Sequence, residues 1–128
     1  MRKYKSLIFH IIGSKKDVCI ASNEIYQYTI ENYFTSKIIQ NNHLFRELDP
    51  YTTQNVYINE CNNLKCEEIK RLNHSLNNRI PIISYAIYVN QPAFFCPYID
   101  NVYSLDDTKH VKNKLLHRLL YTKYKYER

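Results

Sequence analysis

The residues of this chain whose type and spacing suggest chemistry lie in its last twenty positions. Seven of them are Lys or Arg against a single acid, Glu127, a net of +6 that equals the net charge of the whole chain. Residues 1–108 therefore hold eleven basic and eleven acidic side chains and net to zero. A neutral body with a cationic end speaks to partners rather than to fold. On a helical wheel Lys114, Arg118 and Lys125 fall within about 40° of one another, with Tyr121, His110 and His117 flanking them. Val111, Leu115, Leu116, Leu119 and Leu120 occupy the other half. Such a face could track phosphates, with Tyr121, Tyr124 and Tyr126 as stacking groups and Lys123 and Arg128 close by. The same face would also suit an acidic protein or an anionic membrane surface. Three aligned cations make few phosphate contacts, so a working site would recruit Arg2, Lys3 and Lys5, or a second copy of the chain.

Other reactive side chains form no pattern of comparable strength. Cys61 and Cys66 are the only close cysteine pair, with His74 downstream. Cys66 and His74 are eight residues apart on one predicted helix, about 12 Å along its axis and about 80° apart around it, so they cannot share an ion. No metal or cofactor site is expected. Cys96 sits in the apolar run Phe94-Phe95-Cys96-Pro97, where a buried and inert thiol is the usual outcome. Asp49 and Glu60 flank a candidate strand as in metal-dependent nucleases. The lysine that chemistry would place just after the second acid is missing, since Cys61 and Asn62 stand there. His110 and His117 have the acid–base chemistry for RNA cleavage but the spacing of solvated helix positions. No motif for catalysis emerges, and binding is the expected mode of action.

Composition narrows the class further. With Gly13 as the only glycine, the glycine-rich loops that let a backbone approach phosphates are excluded, and the P-loop and dinucleotide fingerprints with them. Ile, Asn, Tyr and Lys make up 54 of the 128 residues, a bias toward AT-rich codons of the kind met in viruses, phages and low-GC microbes. No apolar run reaches the ~18–20 residues of a membrane span. The N-terminal Met-Arg-Lys-Tyr-Lys and Ser6–Ile12 mimic a signal peptide, but His10 interrupts the apolar stretch and Lys15-Lys16-Asp17 follow it, so a first strand is expected. Four cysteines without a disulfide framework then imply an intracellular, reducing compartment.

The elements that must position these residues follow from periodicity. Residues 5–12 read as a buried strand ended by Gly13-Ser14, and Asp17–Ala21 as a short return strand. Ser22 or Asn23 would cap a helix to about Gln40, with Tyr26, Ile30, Tyr33, Phe34 and Ile38 on one face. Gln54–Glu60 alternates as a strand, with Val56 and Ile58 opposite Tyr57. A second helix spans about 63–77 with the stripe Ile69, Leu72 and Leu76. Ile80–Val89 is apolar on both faces and reads as a central strand. Ala93–Ile99 reads as an edge strand because of Pro97. Ser104-Leu-Asp-Asp107 has the form of a capping box that would open the basic amphipathic helix at about 105–124. The expectation is one α/β (α+β) domain over 1–128. It has a mixed sheet of four to five strands with three helices on one face. Its expected role is that of an intracellular binding protein whose partner is nucleic acid, or alternatively of a viral accessory or assembly protein acting through protein–protein contacts.

Overall fold

Ser6–Ile12, strand β1, is buried along its whole length. A strand this apolar has to be covered on both faces, and the sheet around it provides that cover. In the computed structural model, which describes residues 6–40, 55–61, 66–77 and 82–106, the further elements are α1 (Lys15–Glu31), β2 (Thr35–Gln40), β3 (Asn55–Cys61), α2 (Cys66–Asn77), β4 (Ile82–Val89) and β5 (Asn101–Leu105). The five strands form one sheet in the order β2-β3-β1-β4-β5. Every pairing is parallel. Among the described residues the sheet is thus parallel and not mixed, and two helices stand there; the basic helix expected at about 105–124 lies almost wholly outside them.

Side-chain alternation sorts the core into two layers. Leu7, Phe9 and Ile11 of β1, Val56 and Ile58 of β3, and Tyr85, Ile87 and Val89 of β4 face Val18, Ala21 and Ile25 of α1. The Phe9 and Tyr85 rings stack with centroids 4.8 Å apart. On the other side Ile8, Tyr57 and Ile82 meet Leu72 of α2, and Ile12, Cys61, Ala86 and Tyr88 form a second cluster. The helices therefore cover opposite faces, not one. This follows from strand order, because a parallel sheet needs a crossover between strands and each crossover helix must cover a face. The alternation expected for residues 56–58 and for β4 matches these layers.

The largest departure from expectation concerns residues 15–40. They form not a short strand and a long helix but a helix followed by strand β2. The reason is local. Ser14 is extended and its Oγ accepts from the Asp17 backbone N–H at 3.1 Å, an N-cap, with Asp17 placed in the first turn beside the positive end of the helix dipole. The buried stripe of α1 is Val18, Ala21, Ser22, Ile25 and Thr29. Two of its five members are polar, which dilutes the apolar period. Tyr33 adopts φ 64°, and the Asn32 Nδ2 donates to the Tyr28 carbonyl at 2.9 Å. The left-handed residue ends the helix and frees the β-branched Thr35–Gln40 to pair with β3. Ser14→Ala removes the cap and is expected to cost about 1 kcal/mol, read as a lower urea midpoint at unchanged slope.

Two corrections concern the C-terminal part. Residues 93–99 are not a strand; β5 lies beyond them at Asn101–Leu105 and takes the sheet edge beside β4. Its start is set by Asp100, whose carboxylate accepts from the Ser84 N–H at 2.7 Å while its own N–H donates to the Ser84 carbonyl at 3.0 Å. Ser104 and Leu105 belong to this strand, so a helix does not begin at 105. The Ser104 hydroxyl donates to the Gln91 carbonyl at 3.2 Å.

Candidate functional site

In an open parallel sheet ligands bind beyond the carboxyl ends of the strands, where neighbouring connections depart in opposite directions. Here that point lies between β1 and β4. The chain leaves β1 toward β2 on one side and leaves β4 toward β5 on the other. Ile12 runs into Gly13-Ser14 and directly into the first turn of α1, where Ser14, Lys15 and Lys16 are exposed. Asn90 follows β4 in the left-handed region, φ 56°.

The crevice is tightly closed at its base. A Cβ built on Gly13 would meet the Val89 carbonyl oxygen at 2.9 Å, so glycine is needed there for close approach rather than for a phosphate-wrapping loop. Asn90 joins the three chain segments: its Nδ2 donates to Asp17 Oδ2 at 3.1 Å and its backbone N–H donates to the Leu105 carbonyl at 2.7 Å. Two-residue Gly13-Ser14 is also too short to encircle phosphates, in keeping with the exclusion of a P-loop on composition. What the rim offers instead is two exposed lysines at the positive end of a helix dipole, partly offset by Asp17.

The residues proposed from sequence, Lys114, Arg118, Tyr121, Lys123, Lys125 and Arg128, lie outside the described residues, as do Arg2, Lys3 and Lys5. So do Asp49, His110 and His117. The structure does fix where the described chain ends before the cationic segment. Leu105 and exposed Asp106 sit at the carboxyl edge of the sheet, next to Asn90 and the first turn of α1. Lys15 and Lys16 were missed as candidates because residues 17–21 read as a strand. The signal that could have revealed them is Ser14-x-x-Asp17, a serine followed three residues on by an acid, which marks a helix start.

A second polar group lies under the α2 face. His10 and Asn59 are wholly buried at register with one another on β1 and β3, with Asn59 Nδ2 at 3.0 Å from His10 Nδ1. The same amide donates to Cys61 Sγ at 3.3 Å. Burial, reinforced by the carboxylates of Glu68 and Glu60, pushes the Cys61 thiol up to about 12. Such a thiol is a packed side chain and not a nucleophile. Tyrosine use follows the same lesson. Tyr57, Tyr85 and Tyr88 are core residues, so part of the tyrosine richness is spent on packing.

Among the described residues no three His, Cys, Asp or Glu side chains converge as a metal site, and no helix is long and apolar enough to cross a membrane. No family model, curated protein or solved structure matches this chain.

Proposed function

We propose that this chain is a small intracellular binding protein, viral in origin, that contacts nucleic acid through its basic C-terminal segment. The observation that carries this reading is the charge distribution: a net of +6 in the last twenty residues beyond a body of net zero. The end of the described chain is consistent with it. The chain heads into the segment from Leu105, which shares Asn90 with the first turn of α1. Lys15 and Lys16, exposed in that first turn, add two further cations to those proposed from the sequence. Phosphates are held by such point charges and by helix N-termini without base recognition, so the binding is expected to be sequence-tolerant and salt-sensitive.

Charge reversal tests it. The pair Lys114→Glu/Arg118→Glu should abolish retention on heparin and on a labelled oligonucleotide at low salt, and Lys15→Glu/Lys16→Glu should weaken both. Unchanged retention in the first pair overturns the assignment.

A second reading, protein–protein contact, has an observation of its own. Phe94 and Phe95 in the β4–β5 connection are 66% and 85% exposed. Large apolar side chains held in water are more common at interaction surfaces than elsewhere. A partner lost from a native-source pull-down on Phe95→Ser, and kept after nuclease treatment, would favour this reading over the first.

A further inference from the structure

The α1 side of the sheet is buried further than α1 reaches. That helix packs across β1, β2 and β3. Strands lie about 4.8 Å apart and a helix with its side chains is about 10–12 Å across, so one helix covers about two to three strands. Yet on β4 and β5, Tyr85 is 4%, Ile87 0% and Leu105 2% exposed, and all three point to this side. Ile83 and Tyr103 are partly buried on the same face. Aromatic rings run across it from strand to strand. Phe9 stacks on Tyr85, and Tyr85 on Tyr103 with centroids 6.3 Å apart.

No other described element stands on that side of β4 and β5. Helix α2 packs on β4 from the opposite face. The β4–β5 connection lies on that opposite face too: Ile99 packs with Ile12, Cys61, Ala86 and Tyr88, and the Phe94 carbonyl accepts from the Tyr88 hydroxyl at 3.2 Å. Right-handed crossovers require this, since β3 to β4 and β4 to β5 step one way across the sheet and β1 to β2 the other. The cover must therefore come from a segment outside the described residues. Residues 62–65 and 78–81 flank α2 on the opposite face, and 41–54 join β2 to β3 on the far side of the sheet. Residues 1–5 lead into β1 and hold three cations, Arg2, Lys3 and Lys5, unsuited to burial. Residues 107–128 start beside β5 itself and carry an apolar half-circle.

We infer that this half, Val111, Leu115, Leu116, Leu119 and Leu120, docks as a helix beside α1 on the patch formed by Tyr85, Ile87, Tyr103 and Leu105. The dimensions agree. Residues 107–110 span up to about 14 Å when extended, enough to rise from the end of β5 to a helix layer about 10 Å above the sheet. As a helix, residues 111–120 are about 15 Å long, against about 17 Å for the strand β5 that they would cover. Seated this way, the opposite half, with Lys114, Arg118 and Lys125, faces solvent. The docking itself requires no nucleic acid and holds whichever partner those cations meet.

The test uses the full chain with Tyr103→p-benzoylphenylalanine, a substitution at the partly buried rim of the patch, irradiated without nucleic acid and mapped by mass spectrometry. The expected product is an adduct within one chain between position 103 and residues 111–120. An adduct joining two chains would mean that a second copy supplies the cover, and it overturns the inference. Adducts confined to other segments, or none, overturn it as well. Urea titration gives a second readout: Leu119→Ala should lower the midpoint by about 1 M, and His117→Ala, on the other half, should leave it unchanged. A Leu119→Ala midpoint equal to that of wild type overturns the docking. Retention on heparin that survives charge reversal, alongside the expected adduct, would sink the nucleic-acid reading and leave the docking in place. Lost retention without the adduct would do the reverse.

Discussion

Phe9→Ala is expected to destabilise the fold by about 3–5 kcal/mol, the range for deleting a buried aromatic ring. Phe9 lies on the central strand, is 1% exposed, and stacks on Tyr85 of the adjacent strand. Its neighbours on the same face, Leu7 and Ile11, and the facing Val18 and Ile25 of α1 are themselves fully packed, so the vacated volume has little to collapse into it. Against a total stability of about 5–15 kcal/mol for a domain, such a loss leaves a substantial unfolded fraction. Urea titration followed by far-ultraviolet circular dichroism measures it. A cost under about 1 kcal/mol would mean that this face is not the core the two-layer arrangement requires.

Gly13→Ala ranks next, at about 1–3 kcal/mol, as an overpacking substitution. The added methyl would stand 2.9 Å from the Val89 carbonyl oxygen, which is backbone and cannot swing aside. Relief requires the ends of β1 and β4 to part, and that movement strains the Asn90 bonds to Asp17 and Leu105. The same urea titration reads the cost, and the Ser14→Ala variant separates it from simple loss of the helix cap. A Gly13→Ala protein as stable as wild type would show that the two strand ends are not closely apposed.

The legibility of the fold varied with how cleanly each segment displays its period. β1, β3, α2 and β4 are readable because their apolar residues alternate or recur without interruption: Val56 and Ile58 against Tyr57, Ile69 and Leu72 on one helix stripe, and two apolar faces in β4. Helix α1 is not readable in the same way. Ser22 and Thr29 sit on its buried stripe, and the Val18–Ala21 run looks like a strand taken alone. Thr29 Oγ1 solves its burial by donating to the Tyr26 carbonyl at 2.8 Å, a tertiary-independent bond that periodicity does not register. β5 is short and half exposed, so it carries little apolar signal. Strand direction has no local signature at all. It follows from connections long enough to cross the sheet, and only the double-faced apolar character of β1 and β4 hinted at it.

The candidate site shows the same division. The charge asymmetry is a property of composition and could be counted. That Lys15 and Lys16 stand at a carboxyl edge next to the strand leading into the cationic segment depends on the β1–α1 turn, on strand order and on Asn90.

The most direct test of nucleic-acid contact at this edge is the salt dependence of oligonucleotide binding, followed by fluorescence anisotropy between about 50 and 200 mM salt. Five phosphate contacts, from Lys15, Lys16, Lys114, Arg118 and Lys125, predict a slope of log K against log salt of about −4.5 on duplex and about −3.5 on single strands. Lys15→Glu/Lys16→Glu should make the slope shallower by about 2. Binding that is absent at the lowest salt, or a slope that neither charge-reversal pair alters, would contradict the account.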